Sequence, residues 1–136
     1  MIVMINFNGI NISFERNKLH VNYLKHGKLT LEDAHQIIKT STQLLFDNNV
    51  CKAPLIISSE RNISYSDTAK AYLASKEVNE KLLCIAIIAA NSFQALVANL
   101  FISLNSPMVP TKLFFNRESA LSWADEKIRS EYSSNT

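Results

Sequence analysis

Glycine is nearly absent from this chain: Gly9 and Gly27 are the only two among 136 residues. A phosphate-cradling loop needs several glycines at fixed spacing, because backbone N–H groups must close on the phosphate with no Cβ in the way. With two distant glycines neither that loop nor a GxSxG nucleophile turn can be written. Cysteine is as scarce. Cys51 and Cys84 form no CxxC and cannot define a disulfide framework. Cys84 sits in an apolar run, the setting of a small buried thiol. His20, His26 and His35 lack ligand spacing, so no metal site is expected. Neither sign of charge dominates, since 14 Lys+Arg against 12 Asp+Glu leave +2. The basic residues are scattered without interleaved aromatics, which argues against a nucleic-acid surface. The amino terminus, MIVMINFN, has no basic leader region and no small-residue cleavage site. A reduced, intracellular, cytoplasmic protein without a cofactor is expected.

Apolar residues are present in quantity, 47% of the chain, which suffices for one core at ordinary domain size. The expected organisation is a single α/β domain over residues 1–130 and a polar, flexible tail over 131–136. Ile10 to Phe14 alternates apolar and polar side chains, and Leu19, Val21 and Tyr23 alternate again beyond an Arg16-Asn17 turn. This reads as an antiparallel hairpin ended by Gly27. Thr30 caps a first helix with Glu32 and Asp33 in its positive first turn and Leu31, Ala34, Ile38, Thr42 and Leu45 inward. Asp47-Asn48-Asn49 stops it. Ala53–Ser58 is a buried strand. Ser64 or Ser66 caps a second helix with Ala69, Tyr72 and Leu73 inward. Leu82–Ala90 is an isoleucine-rich strand. Ser92 caps a third helix, with Phe93, Leu96, Val97, Leu100, Phe101 and Leu104 at core spacing. Thr111–Phe115 is a last strand, and Asn116 caps a last helix through about Arg129 with Ala120, Leu121, Ala124 and Ile128 inward. Strand–helix alternation from Ala53 onward implies a mostly parallel sheet, made mixed by the hairpin.

The uncharged stretch from Leu82 to Thr111, between Lys81 and Lys112, could also be a membrane span. Asn91, Ser92, Gln94 and Asn99 argue against that, because unpaired amides are costly in hydrocarbon. The strand-then-helix reading is preferred. The third helix then carries an uncharged outer stripe of Ala95, Ala98 and Ile102. Either another element of the chain covers it, or it is an interface, most simply of a two-fold homodimer.

The element order, strand, strand, helix, strand, helix, strand, helix, strand, helix, resembles the STAS fold of the SpoIIAA-type anti-sigma-factor antagonists, and SEC14-like domains are similar in outline. The segments CIAIIA, NSFQALVANLFISLNSPMVPTKLFF and NRESALSWADEKI resemble more closely a SpoIIAA-like (STAS/SEC14-type) family of small bacterial proteins. The resemblance implies a STAS/SpoIIAA-like α/β domain: a mixed, mostly parallel sheet of about five strands, an amino-terminal antiparallel hairpin and four helices. Anti-sigma antagonists carry a phosphorylated serine in an Asp-Ser-(Ser/Ala)-Gly motif before their second helix. The matching segment here is NISYSDTAKAY, in which Ser64 or Ser66 falls nearest but has neither the preceding Asp nor the following Gly. Helix capping explains both serines as well.

In open α/β sheets ligands bind beyond the carboxyl ends of the parallel strands. Those ends supply Ser58, Ser59, Glu60 and Arg61, then Asn91 and Ser92, then Asn116 and Arg117. Arginines near helix amino termini suit an anion, while caps and solvated loops are the plainer account of the same residues. No convergent catalytic set is visible. Glu32 and Asp33 are first-turn charges, and Trp123 is a packing anchor. The expected function is a non-enzymatic STAS-like module that contacts a protein partner or itself. The alternative is a small-ligand or lipid-binding domain of SEC14 type that uses the strand-end crevice. If the outer stripe is the dimer contact, Ala98→Glu will abolish the dimer in size exclusion with light scattering while far-UV circular dichroism stays that of the parent.

Overall fold

The structure, a computed structural model, describes residues 4–24, 27–59, 63–91, 94 and 108–134, with the backbone alone for 132–134. Its core is a six-stranded sheet in the order β1-β2-β3-β5-β7-β8. The strands are β1 (Met4–Phe7), β2 (Ile10–Glu15), β3 (Lys18–Tyr23), β5 (Ala53–Ser59), β7 (Leu82–Ile88) and β8 (Thr111–Phe114). A two-stranded parallel ribbon, β4 (Gly27–Leu29) with β6 (Ile63–Tyr65), stands beside it. The helices are α1 (Leu31–Asp47), α2 (Asp67–Leu73), α3 (Lys76–Asn79) and α4 (Arg117–Ser134). The pairings β1–β2 and β2–β3 are antiparallel; β3–β5, β5–β7 and β7–β8 are parallel. The mixed, mostly parallel sheet with an amino-terminal hairpin is as expected.

The expected Arg16-Asn17 turn is present, both residues left-handed at φ 52° and 65°. That is the type I′ conformation whose twist matches flanking strands. The hairpin has a further strand, β1, joined to β2 through Asn8-Gly9 at φ 48° and 74°. Gly27, expected to end the region, opens β4 at φ 140°. A Cβ there would meet nothing within 4 Å, so backbone conformation, not space, favours glycine at that position.

Thr30 caps α1 with a full capping box: its hydroxyl accepts the Asp33 N–H, and the Asp33 carboxylate accepts the Thr30 N–H. The helix ends where expected, with Asn48 as its C-cap and Asn49 left-handed at φ 57°. Its inner face is rotated from the expected one. Ala34, Ile37, Thr40, Ser41, Leu44 and Leu45 are buried, whereas Leu31, Ile38 and Thr42 are half-buried. Ile37, Leu44 and Leu45 enter the main core, and Thr40 and Ser41 are buried on the same helix. Each buried Ile or Leu contributes about 1.5–3 kcal/mol relative to exposure. Ser66 caps α2 and Ser75 caps α3, a turn not anticipated. Buried Asn79 ties this pair together by donating to the carbonyls of Leu73 and Ser75.

The sheet has two chemically different faces. Ile10, Ile12, Leu19, Val21 and Tyr23 point to α1 and α2 and form the main core with Leu29, Ala34 and Leu44. On the other face Ile56 and Ala86 pack against Ala120 and Ala124 of α4, the two alanines being wholly buried. Trp123 packs on Phe114, ring centroids 5.5 Å apart. Helix α4 runs to Ser134, beyond the expected end near Arg129. It is latched by Lys18, 3% exposed, whose ammonium meets the Asp125 carboxylate at 2.6 Å and donates to the Arg16 carbonyl at 3.0 Å. Strand β7 ends at Ile88 and the chain bends at Ala90, so no helix runs through position 91. Among the described residues no helix is long and apolar enough to cross a membrane. The core stripe and the outer stripe of the third helix lie outside the described residues.

Burial pushes the Cys84 thiol up to about 11, with Lys127 pulling weakly the other way, while Cys51 is exposed. In native protein at about pH 8 a disulfide reagent should therefore modify Cys51 quickly and Cys84 only after denaturation. Rapid reaction of both thiols in the folded state would contradict this packing.

Candidate functional site

Residue parity along β3 separates Leu19, Val21 and Tyr23 from Lys18, His20 and Asn22, which point to the α4 side. Ladder register then carries a polar line across the sheet. Asn6 pairs with Asn11, Asn11 with Asn22, and Asn22 with Ser58. The Asn6 amide donates to the Asn11 carbonyl oxygen, and the Ser58 hydroxyl donates to Asn22 Oδ1 at 3.1 Å. Arg117, in the first turn of α4, closes the line by donating from Nη2 to Ser58 Oγ at 3.4 Å. Asn6 and Arg117 are exposed; Asn11, Asn22 and Ser58 are half-buried. The adjoining row holds Ser13 and His20.

Of the expected crevice residues, Ser58 and Arg117 are thus brought together. Ser59 alternates to the opposite face, paired in register with Tyr23. Asn116 Oδ1 accepts the Ser119 N–H at 2.8 Å, which makes it the cap of α4. Asn91 Oδ1 accepts the Gln94 N–H at 2.9 Å, and Gln94 Oε1 in turn accepts the Ala90 N–H. Asn91 therefore makes the capping bond expected of Ser92. Ser92, Glu60 and Arg61, like Ala95, Ala98 and Ile102, lie outside the described residues. Ser66 Oγ accepts the Ala69 N–H at 3.1 Å and lies 3.2 Å from Thr68 Oγ1, while Ser64 is exposed on β6. His20 and Asn22 were not anticipated in the site; the signal was the period-two set Lys18, His20, Asn22 between the apolar residues of β3.

Charges of both signs meet on this face: Arg117 and Lys18 stand near Glu15, Glu118 and Asp125. Arg117 places a cation at the positive end of the α4 dipole, where an acidic residue is the favourable choice. Burial lowers the His20 pKa below its ordinary 6.5; a hydrogen bond to the Glu15 main chain opposes this and the Arg117 charge adds to it. On the far face Tyr23 and Tyr65 meet edge-on with hydroxyls 3.3 Å apart, and burial raises the pKa of both. Ser58 donates to an amide oxygen and not to a base, so it is not set up as a nucleophile. Among the described residues no three His, Cys, Asp or Glu side chains cluster as metal ligands. A second hollow of about 210 Å³ lies between the β1–β2 turn and the start of α1, lined by both glycines with Asn8, Lys28, Asp33 and Ile63. The Asn8 amide donates to Asp33 there at 2.7 Å.

A histidine whose pKa is lower folded than unfolded binds fewer protons in the native state. Its contribution to stability is full above about pH 6.5 and is lost as pH falls through the folded value. His20→Gln is accordingly expected to flatten the loss of Tm on acidification from about pH 7 to pH 5, and an unchanged slope would place the acid sensitivity elsewhere.

None of the curated proteins matches this chain. Among solved structures the chain is similar to an uncharacterized protein of the DUF3478 family from Shewanella loihica PV-4, whose crystal structure has a SpoIIAA-like fold. The two share 21% identity with a TM-score of 0.62, over 90% of this chain and 98% of that one. At that identity the likeness establishes the fold alone, a SpoIIAA-like one. The profile of a domain of unknown function, DUF7793, matches residues 12–127, from the second strand of the hairpin well into the last helix, and the chain belongs to that family.

Proposed function

We propose that the chain is a non-enzymatic STAS-like interaction module of the cytoplasm that works by protein–protein contact and self-associates. One observation carries this reading: the strand-end site is a hydrogen-bonding surface, not a chamber. Asn6, Asn11, Asn22 and Ser58 stand in register across four strands, with Arg117 exposed at the end of the line. Such a surface offers donors and acceptors at the strand spacing of about 4.8 Å, which suits an extended, polar partner surface. It contains no activated nucleophile. The main core is filled by Ile12, Leu19, Val21, Leu29 and Leu44.

A second reading, a small anionic ligand in the crevice, is favoured by Arg117, whose cation on the positive dipole end lacks a local electrostatic reason. The two readings separate in one pair of measurements. The first predicts bare polypeptide in native mass spectrometry, at monomer and dimer mass, and no change in Tm with inorganic phosphate. The second predicts a retained small molecule, or a phosphate-dependent rise in Tm that Arg117→Ala removes. A strict monomer at high concentration would overturn self-association.

A further inference from the structure

Strand β8 is the carboxy-terminal edge of the sheet, and among the described residues no strand lies beyond it. Its pairing with β7 fixes which backbone groups remain outward. Ile85 N–H donates to the Pro110 carbonyl and Ala89 N–H to that of Phe114, with Ala86 opposite Lys112 and Ile88 opposite Phe114. In a parallel ladder alternate residues turn both backbone groups to one neighbour. Lys112 and Phe114 therefore bond β7, and Thr111 and Leu113 turn theirs outward; the strand ends at Phe114, and Phe115 follows in a bend. A strand at the edge of a sheet is a template for another strand. Two large apolar side chains flank it, Met108 at 56% and Phe115 at 66% exposure.

The α4 side of this edge is a groove of about 540 Å³. Its floor is aromatic, Phe114 against Trp123, and its lining is charged with both signs: Lys112 on the strand, Glu118 and Glu126 on the helix. Lys112 Nζ already lies 5.5 Å from the ring of its own Phe114.

We infer that β8 is a self-pairing edge on which a second copy of this chain docks antiparallel, about a two-fold axis at Leu113. In this register Leu113 exchanges about two backbone hydrogen bonds with its own copy, and Thr111 lies opposite Phe115, the residue just past the strand. It also sets Lys112 of one copy directly opposite Phe114 of the other. Each ammonium then enters the partner's groove over the aromatic floor and beside Glu118, so cation–π and ionic contacts repeat on both sides of the axis. The opposite edge, β1, reads MINF and offers no charge to pair. Isologous pairing closes at two copies and hides the β8 edge of each. The inference rests on the self-association reading above and names its surface.

Three variants test it, read by sedimentation velocity across a concentration series. Leu113→Pro removes an outward N–H and no bond to β7, and Lys112→Glu sets like charges against Glu118. Each should raise the dimer dissociation constant by about tenfold or more with far-UV circular dichroism preserved. The charge swap Lys112→Glu with Glu118→Lys should restore dimerisation, an outcome that a merely misfolded Lys112→Glu could not give. Leu113→Cys in a Cys51→Ser background should cross-link to its own copy on mild oxidation, because paired Cα atoms about 5.5 Å apart are within disulfide reach. A dimer indifferent to all of these but broken by Ala98→Glu would overturn the β8 surface and leave the interaction-module reading standing. A strict monomer would overturn both. Open-ended growth of the assembly with concentration would also overturn it, since that requires head-to-tail pairing of β8 with β1.

Discussion

The in-register parallel pairing of β3 with β5 is the constraint on which the rest of the molecule depends. It joins an antiparallel meander to a parallel α/β half, and it does so with Leu19 beside Leu55, Val21 beside Ile57 and Asn22 beside Ser58. A slip of one residue would exchange every inward and outward side chain of β3. The cation of Lys18 would then be pressed into the core beneath α1, and Leu19 and Val21 would face the polar side. The hydrophobic difference between the two registers amounts to several kcal/mol, enough to make one register unique.

That register also explains why the site is where it is. Among the described residues α1 and α2 cover one face, which is mostly apolar although Ser59 lies on it. Among the same residues α4 covers the other face, centred on β5 and β7, and the meander's share of that face carries polar side chains. Asn6, Asn11, His20 and Asn22 occupy it. Arg117 joins them because α4 begins at the carboxyl end of β8 and approaches β5 there. The polar line thus follows from covering an uneven sheet.

Much of this was legible in the residues. Thr30 and Ser66 marked helix starts through their hydroxyls, Arg16-Asn17 marked a turn, and the apolar density of Leu82–Ile88 marked a buried strand. Small alanines at 120 and 124 marked the face that meets the sheet. The first strand was missed although Asn8-Gly9 is the strongest short hairpin signal, because only four residues precede it in β1 and alternation needs length to register. The α1 face was misjudged because Thr40 and Ser41 read as polar, although both are buried, and because Ile37 and Leu44 were not counted on the inner face. The crevice was half legible. Ser58 and Arg117 followed from the rule for strand ends, but Asn22 enters from a strand whose pairing with β5 no local pattern specifies. Neighbours that are 36 positions apart, as Asn22 and Ser58 are, become visible only with the topology.

The latch between Lys18 and Asp125 joins residues more than a hundred positions apart. The hairpin is complete in sequence long before α4, and until Asp125 arrives the ammonium has only the Arg16 carbonyl and the facing Glu15 of its own hairpin. A charge at the margin of a growing sheet is a device by which natural sheets repel wrongly added strands. One side chain therefore serves twice, first as a guard while the chain is being made, then as the anchor that receives the helix which ends the need for guarding.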